Sequence, residues 1–315
     1  MSYILLIIGF SLLIAGANFF VDGASKIAGF LKISPLLVGL TIVAFGTSSP
    51  EATVSILAAL DGNADVAIGN VVGSNIFNIT LVVGVTAMIF PLKVESATIR
   101  KEIPFTLLAT AALMIFINDD SISSNMVSRS DGLVLLLIFA VFMYYLFEVA
   151  RENRSSTGSS PVKTSTAQWT KQSLLTIAGL AAIIFGGDLV VKSSTEIALS
   201  LGMSKTLVGL TIVAIGTSLP ELVTSVAAAI KKESEIALGN IVGSNIFNIL
   251  FVLGASAAIS PLPVDPKMFI DITLLILITL VLLIFSRSHY AIGKYEGGFL
   301  AASYIMYLIY IIMRN

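Results

Sequence analysis

The chain has 315 residues, of which 56% are hydrophobic and only 12% charged, with a mean hydropathy of +0.98. Soluble domains carry about 25% charged residues, so a chain this apolar cannot cover a water-facing surface, and the bilayer must be its solvent. A net charge of −1 excludes the basic footprint of a nucleic-acid binder, and the absence of cysteine excludes disulfides, thiolate metal sites and cysteine nucleophiles.

A membrane helix needs about 20 mostly apolar residues. The first such run, Tyr3 to Val21, precedes the first basic residue, Lys26, so it reads as a membrane helix and not as a cleavable leader. The same measure predicts ten spans, near 3–24, 35–59, 66–90, 98–117, 132–150, 170–193, 205–230, 236–260, 268–286 and 292–312. Short polar connections join them. The longest, Arg151 to Ala167, is rich in Ser and Thr and has the composition of a flexible linker. Of the 18 Lys and Arg residues, 13 fall on the side that follows the odd-numbered spans. This bias predicts that both termini lie outside and the central linker in the cytoplasm of a cell membrane. His289 reads as an interfacial residue, since one His without Cys makes a poor zinc site. Trp169 fits an interfacial anchor, and Asp22 and Asp188 lie near span ends.

Two segments recur. Residues 39–51 read G-L-T-I-V-A-F-G-T-S-S-P-E and residues 209–221 read G-L-T-I-V-A-I-G-T-S-L-P-E, identical at 11 of 13 positions. Residues 69–79, G-N-V-V-G-S-N-I-F-N-I, match residues 239–249, G-N-I-V-G-S-N-I-F-N-I, at 10 of 11. Both pairs are offset by 170 residues. Five spans per copy make the second copy enter the membrane from the opposite side. The predicted fold class is therefore an all-α polytopic membrane protein with ten transmembrane helices as two inverted five-helix repeats. The first repeat spans 1–150, a linker spans 151–167, and the second repeat spans 168–315.

The repeated motifs place polar groups inside apolar spans. Glu51 and Glu221 fall near the middle of the second and seventh spans, where a carboxylate costs at least about 2.5 kcal/mol. Lys and Arg occur only near the ends of the spans and not in their interiors to neutralise them, so a bound cation is their natural partner. Pro50 and Pro220 lack an N–H, which frees the carbonyls of Gly46 and Gly216 and predicts a broken helix. Thr47, Ser48, Thr217 and Ser218 add hydroxyl oxygens. Ser74, Asn75 and Asn78, with Ser244, Asn245 and Asn248, supply a second neutral wall; Asn75 and Asn245 read equally well as helix-to-helix hydrogen bonders. Gly69, Gly73, Gly239 and Gly243 have the spacing of close helix packing. Such an all-oxygen cage suits calcium or sodium and disfavours zinc or copper.

Taken together, these motifs resemble the repeats of the sodium/calcium exchanger family, within the wider calcium:cation antiporters. The resemblance implies an antiporter and not an enzyme, with Ca2+ and Na+ as transported ions and no cofactor. It implies Glu51 and Glu221 as calcium ligands, joined by the backbones of Thr47 and Thr217. It implies sodium ligands at Ala44, Thr47, Ser48, Glu51, Ser74, Ala214, Thr217, Ser218, Glu221 and Ser244, with Asn78 and Asn248 at the remaining central positions. Many relatives carry Asp where this chain has Asn248, so the expected cage holds two carboxylates and not three. It further implies sliding of the first and sixth helices, on which Gly9, Gly16, Gly179, Gly186 and Gly187 fit a smooth surface or ordinary close packing. The alternatives are a calcium/proton antiporter, since neighbouring carboxylates readily share a proton, a potassium-dependent exchanger and a cation channel. Neither H-E-x-x-H nor G-x-S-x-G occurs, which leaves an intramembrane enzyme unsupported. The lipid bilayer is the expected partner, no nucleic acid is expected, and a monomer is compatible with the sequence.

Overall fold

The structure is a computed structural model that describes residues 2–94, 98–118, 125–156, 165–202, 214–288 and 290–314. His289, Asp119, Asp120 and residues 209–213 of the repeated motif lie outside the described residues. The helices are α1 (Ser2–Leu31), α2 (Pro35–Thr47), α3 (Ser49–Leu60), α4 (Ala64–Ile89), α5 (Ile103–Ile117), α6 (Arg129–Ser156), α7 (Thr166–Ser200), α8 (Ala214–Thr217), α9 (Leu219–Ile230), α10 (Ser234–Ile259), α11 (Met268–Ser288) and α12 (Lys294–Arg314).

Among the described residues, seven helices are long and apolar enough to cross a membrane, and eight if α2 and α3, bent by 49°, form one span. Two of the ten expected spans are not of that kind. Over 98–117 the chain forms a π turn, Thr98–Glu102, that carries Arg100 and Lys101, and then a helix of only 15 residues. Of the span expected over 205–230, residues 203–213 lie outside the description, and α9 alone has 12 residues.

Helix ends follow local chemistry. Ser34 caps α2, accepting from the Leu37 N–H at 3.3 Å, and Pro35 occupies the first turn, where its missing N–H costs nothing. Ser165 and Gln168 form a capping box at the start of α7. Left-handed residues end helices at equivalent places of the two repeats, with Gly and Lys exchanged: Lys32 (φ 55°) and Gly202 (φ 87°), then Gly62 (φ 74°) and Lys232 (φ 65°).

α4 and α10 form the centre, with 72% and 94% of their apolar windows buried, against 22–33% for α1, α6, α7, α11 and α12. The outward faces of those peripheral helices are apolar, with Ile7, Ile14, Leu137, Phe147, Ile177, Phe185 and Ile284 all largely exposed. Only hydrocarbon makes such faces stable. Two short antiparallel ladders tie the halves together reciprocally. β1 (Leu92–Lys93) pairs with β4 (Ala291–Ile292), and β2 (Met126–Val127) pairs with β3 (Leu262–Pro263).

α1 and α7 pack backbone to backbone along their length. A Cβ at Gly9 would meet the Gly186 carbonyl oxygen at 3.0 Å, and one at Gly16 would meet the Gly179 carbonyl oxygen at 2.8 Å. Gly23 faces Gln172 and Thr176. The partners rise by seven along α1 and fall by seven along α7, so the helices run antiparallel through a glycine-lined seam. Gly187 sits off this seam, beside Pro220 and Leu13. Both helices continue past the expected span ends, so Asp22 and Asp188 lie inside them: Asp22 pairs with Lys231 at 2.7 Å, whereas Asp188 pairs with Lys192 of its own helix at 2.8 Å. Trp169 packs against Phe30 with ring centroids 5.2 Å apart and the rings tilted by 55°.

The seam predicts a contrast between two glycines. Gly179→Val would put its Cβ 2.6 Å from the Phe20 nitrogen and should lower stability by about 1–3 kcal/mol, whereas Gly29→Val, with no described atom within 4 Å, should be neutral. Thermal unfolding of both variants in detergent, followed by size-exclusion, measures the difference.

Candidate cation site

The site is built from two helix breaks. At Ser48 the backbone leaves the helix (φ −84°, ψ 7°), and Pro50 stands in the first turn of α3 just beyond it. Ser218 repeats this (φ −93°, ψ 5°), with Pro220 in the first turn of α9. The expected break is therefore present in both halves. Proline tolerates a first turn because its absent N–H would have had no helical partner there. Gly46 contributes space more than freedom: it is helical and buried, and a Cβ there would meet Leu180 of α7 at 3.0 Å.

Each break sets a carboxylate in the first turn of the next helix, Glu51 in α3 and Glu221 in α9. Unpaired N–H groups and the positive end of the helix dipole favour negative charge there. Both side chains are completely buried, and they lie close enough to repel each other. Among the described residues neither has a Lys or Arg partner.

The carboxylates are held across the halves. The Ser48 hydroxyl donates to Glu221 Oε1 at 2.8 Å, and the Ser218 hydroxyl donates to Glu51 Oε1 at 3.0 Å and approaches Ser74 Oγ at 3.0 Å. Thr47 and Ser244 lie beside the Glu221 carboxyl. The second oxygen, Oε2, of each glutamate is buried with no hydrogen-bond donor among the described residues. A buried charged oxygen without a donor is a costly orphan unless a cation occupies it.

The other expected residues divide. Ala44, Thr47, Ser48, Ser74, Asn78, Ser218, Ser244 and Asn248 are buried around this point, and Thr217 is half-buried. Asn78 donates to Asn245 Oδ1 at 3.3 Å across the halves, while Asn75 donates to the Val71 carbonyl of its own helix at 2.7 Å. Both polar atoms of Asn248 are buried without a partner among the described residues. Ala214 opens α8, and its side chain lies outside the described residues. Asn78 starts one π turn (Asn78–Val82) and Asn248 lies within another (Phe247–Leu253). Such turns shift helical register and are frequent at functional sites. Gly239 and Gly243 pack on α2, where added Cβ atoms would meet the Leu36 and Leu40 carbonyl oxygens at 2.6 and 2.8 Å. Gly69 and Gly73 make no such approach among the described residues.

Sequence reasoning missed Asn70, Asn240, Ser55 and Ser225. Asn70 donates to Ser55 Oγ at 2.9 Å and to the Glu51 carbonyl at 3.2 Å, and accepts from Thr217 at 3.3 Å. Asn240 does the same with Ser225 at 2.9 Å, Glu221 at 3.5 Å and Thr47 at 3.0 Å. The available signal was their repetition: polar residues kept at identical positions of both copies, inside apolar spans.

The arrangement is a cluster of buried hydroxyl, amide and carboxyl oxygens around two glutamates. No group of three or more Asp, Glu, His or Cys forms among the described residues, so its charge is that of this pair. The family model described as "Sodium/calcium exchanger protein" matches residues 1–148 and 171–313. The chain belongs to the sodium/calcium exchanger family. It is a family of membrane antiporters, not of enzymes. The chain is 44% identical over 269 residues to the putative antiporter CaxA of Alkalimonas amylolytica, covering 83% of this chain and 82% of that one. It is 33% identical to the sodium/calcium exchanger MaX1 of Methanosarcina acetivorans, covering 98% and 97%. Its fold matches a solved structure of the sodium-calcium exchanger NCX_Mj soaked with Na+ and without Ca2+, at a TM-score of 0.85 and 33% identity over 97% of each chain.

Facing carboxylates make opposite demands with and without a cation. Glu51→Gln should raise the melting temperature of the cation-free protein by removing like-charge repulsion. It should also weaken calcium binding by about 100-fold or more, through loss of one buried charge. Thermal unfolding across a calcium titration reads both effects.

Proposed function

We propose that this member of the family exchanges Na+ for Ca2+ by alternating access around Glu51 and Glu221. The observation that carries the proposal is the pair of fully buried carboxylates, each with one orphan oxygen and neither with a cationic side chain among the described residues. One calcium neutralises two carboxylates. Exchange of more than two sodium ions for it moves net charge, so transport is electrogenic. Calcium is held by Glu51, Glu221 and the Thr47 and Thr217 backbones. Sodium uses the oxygens at Ala44, Thr47, Ser48, Ser74, Ala214, Thr217, Ser218 and Ser244 with the two glutamates. Asn78 and Asn248 complete the cage without adding charge.

The same proposal takes the chain as ten crossings in two inverted halves, 1–150 and 168–315, joined by the linker 151–167. Both termini lie outside a cell membrane and the linker lies in the cytoplasm. The swapped ladders and the swapped serine–glutamate bonds support the two-half arrangement, because each of these contacts recurs with the halves exchanged. The solved relative NCX_Mj has been soaked with Na+, Ca2+ and Sr2+.

The decisive assay is radiolabelled calcium uptake into sodium-loaded proteoliposomes. Uptake should require the outward sodium gradient, respond to an imposed membrane potential and vanish in Glu51→Gln. Uptake driven by a proton gradient alone would assign the chain to calcium/proton exchange, and flux without any counter-ion gradient would make it a channel. A second variant tests the neutral corner: Asn248→Asp adds a third carboxylate, and calcium uptake should then fall as pH is lowered through a range where wild type stays level.

A further inference from the structure

Asn70 and Asn240 lie outside the cation cage, yet each touches both halves of it. Asn240 is fully buried in α10. Its two amide hydrogens stay within its own half, directed at Ser225 Oγ and the Glu221 carbonyl, and its oxygen accepts the Thr47 hydroxyl of the other half at 3.0 Å. Asn70 repeats the pattern from α4 toward Thr217. Thr47 is the last residue of α2, next to the break at Ser48, and Glu221 stands in the first turn of α9.

We propose that Asn70 and Asn240 are positioning residues that pin the broken helix end of one half to the carboxylate-bearing turn of the other, so that each half sets the geometry of ligands the other supplies. The proposal rests on the exchanger reading above. The polarity of the bonds requires asparagine. Both amide hydrogens are spent on the glutamate's own turn, so only the oxygen faces the threonine. The Thr47 hydroxyl lies closer to that oxygen, at 3.0 Å, than to the Ala44 carbonyl of its own helix, at 3.4 Å, so the asparagine orients the threonine side chain. Aspartate keeps the acceptor but lacks the donors, glutamine is one methylene too long, and leucine offers neither.

A double-mutant cycle on purified full-length protein tests this. The readouts are the calcium concentration that half-maximally raises the melting temperature and, in proteoliposomes, the KM and maximal rate of calcium uptake. Asn240→Leu and Thr47→Val should each raise the calcium requirement by about tenfold, through KM more than maximal rate, and the double variant should be no worse than the stronger single. The control pair Asn240→Leu and Thr217→Val, which share no bond, should multiply. If Asn240→Leu does not fold, Asn240→Ser enters the same cycle. Multiplying effects at Asn240 and Thr47 would overturn the proposal. So would variants that bind calcium as wild type does and merely melt lower without it. Wild-type protein that shows no calcium effect would instead overturn the exchanger reading, and this proposal with it.

Discussion

The structure depends on two buried carboxylates that the protein does not neutralise itself. Moving one ionised carboxylate out of water costs several kcal/mol even after relaxation, and a second beside it costs more. Glu51 and Glu221 have no Lys or Arg partner among the described residues, and the proposed function assigns the neutralising charge to a bound cation. The surroundings are arranged to leave that position open. Proline interrupts both helices, each glutamate sits where a helix start favours negative charge, and serines from the opposite half satisfy one oxygen of each carboxylate and leave the other. A site satisfied entirely by protein would hold no cargo, and one satisfied not at all would collapse or fill with water.

Reciprocity is the second constraint. Serine–glutamate bonds, threonine–asparagine bonds and strand ladders all occur twice with the halves exchanged. No half completes its own site. Ligand geometry is thus a property of how the halves face each other, which is what a transporter needs if moving one part against another is to open and close the site. The halves are not identical in detail. Asp22 reaches across to Lys231, whereas its counterpart Lys192 stays with Asp188 on its own helix.

The helices that flank the breaks are packed differently from the centre. α4 and α10 are buried on nearly all sides, whereas α1 and α7 meet through glycines with their backbones in contact. Bulky interdigitation locks helices in register, and a glycine seam removes those interlocks while keeping van der Waals contact. Leu180 of α7 and Phe20 of α1 press on Gly46 at the helix break, so the seam and the site share a wall.

By itself the sequence determined the solvent, the internal duplication and the chemistry of the site. Apolar runs of about 20 residues require a bilayer, a 170-residue offset between near-identical motifs declares two copies, and glutamate beside proline inside such runs marks both the break and the carboxylate buried beside it. These signals are local, carried by composition and spacing along one helix. Tertiary structure alone decided that Ser48 serves Glu221 and Ser218 serves Glu51, partners 173 and 167 residues apart. It alone separated Asn245, which bonds across the halves, from Asn75, which bonds its own helix, and revealed Asn70 and Asn240. The physical reason is that a repeat states that two units are alike but not how they face each other, and the serine–glutamate and threonine–asparagine bonds cross between them.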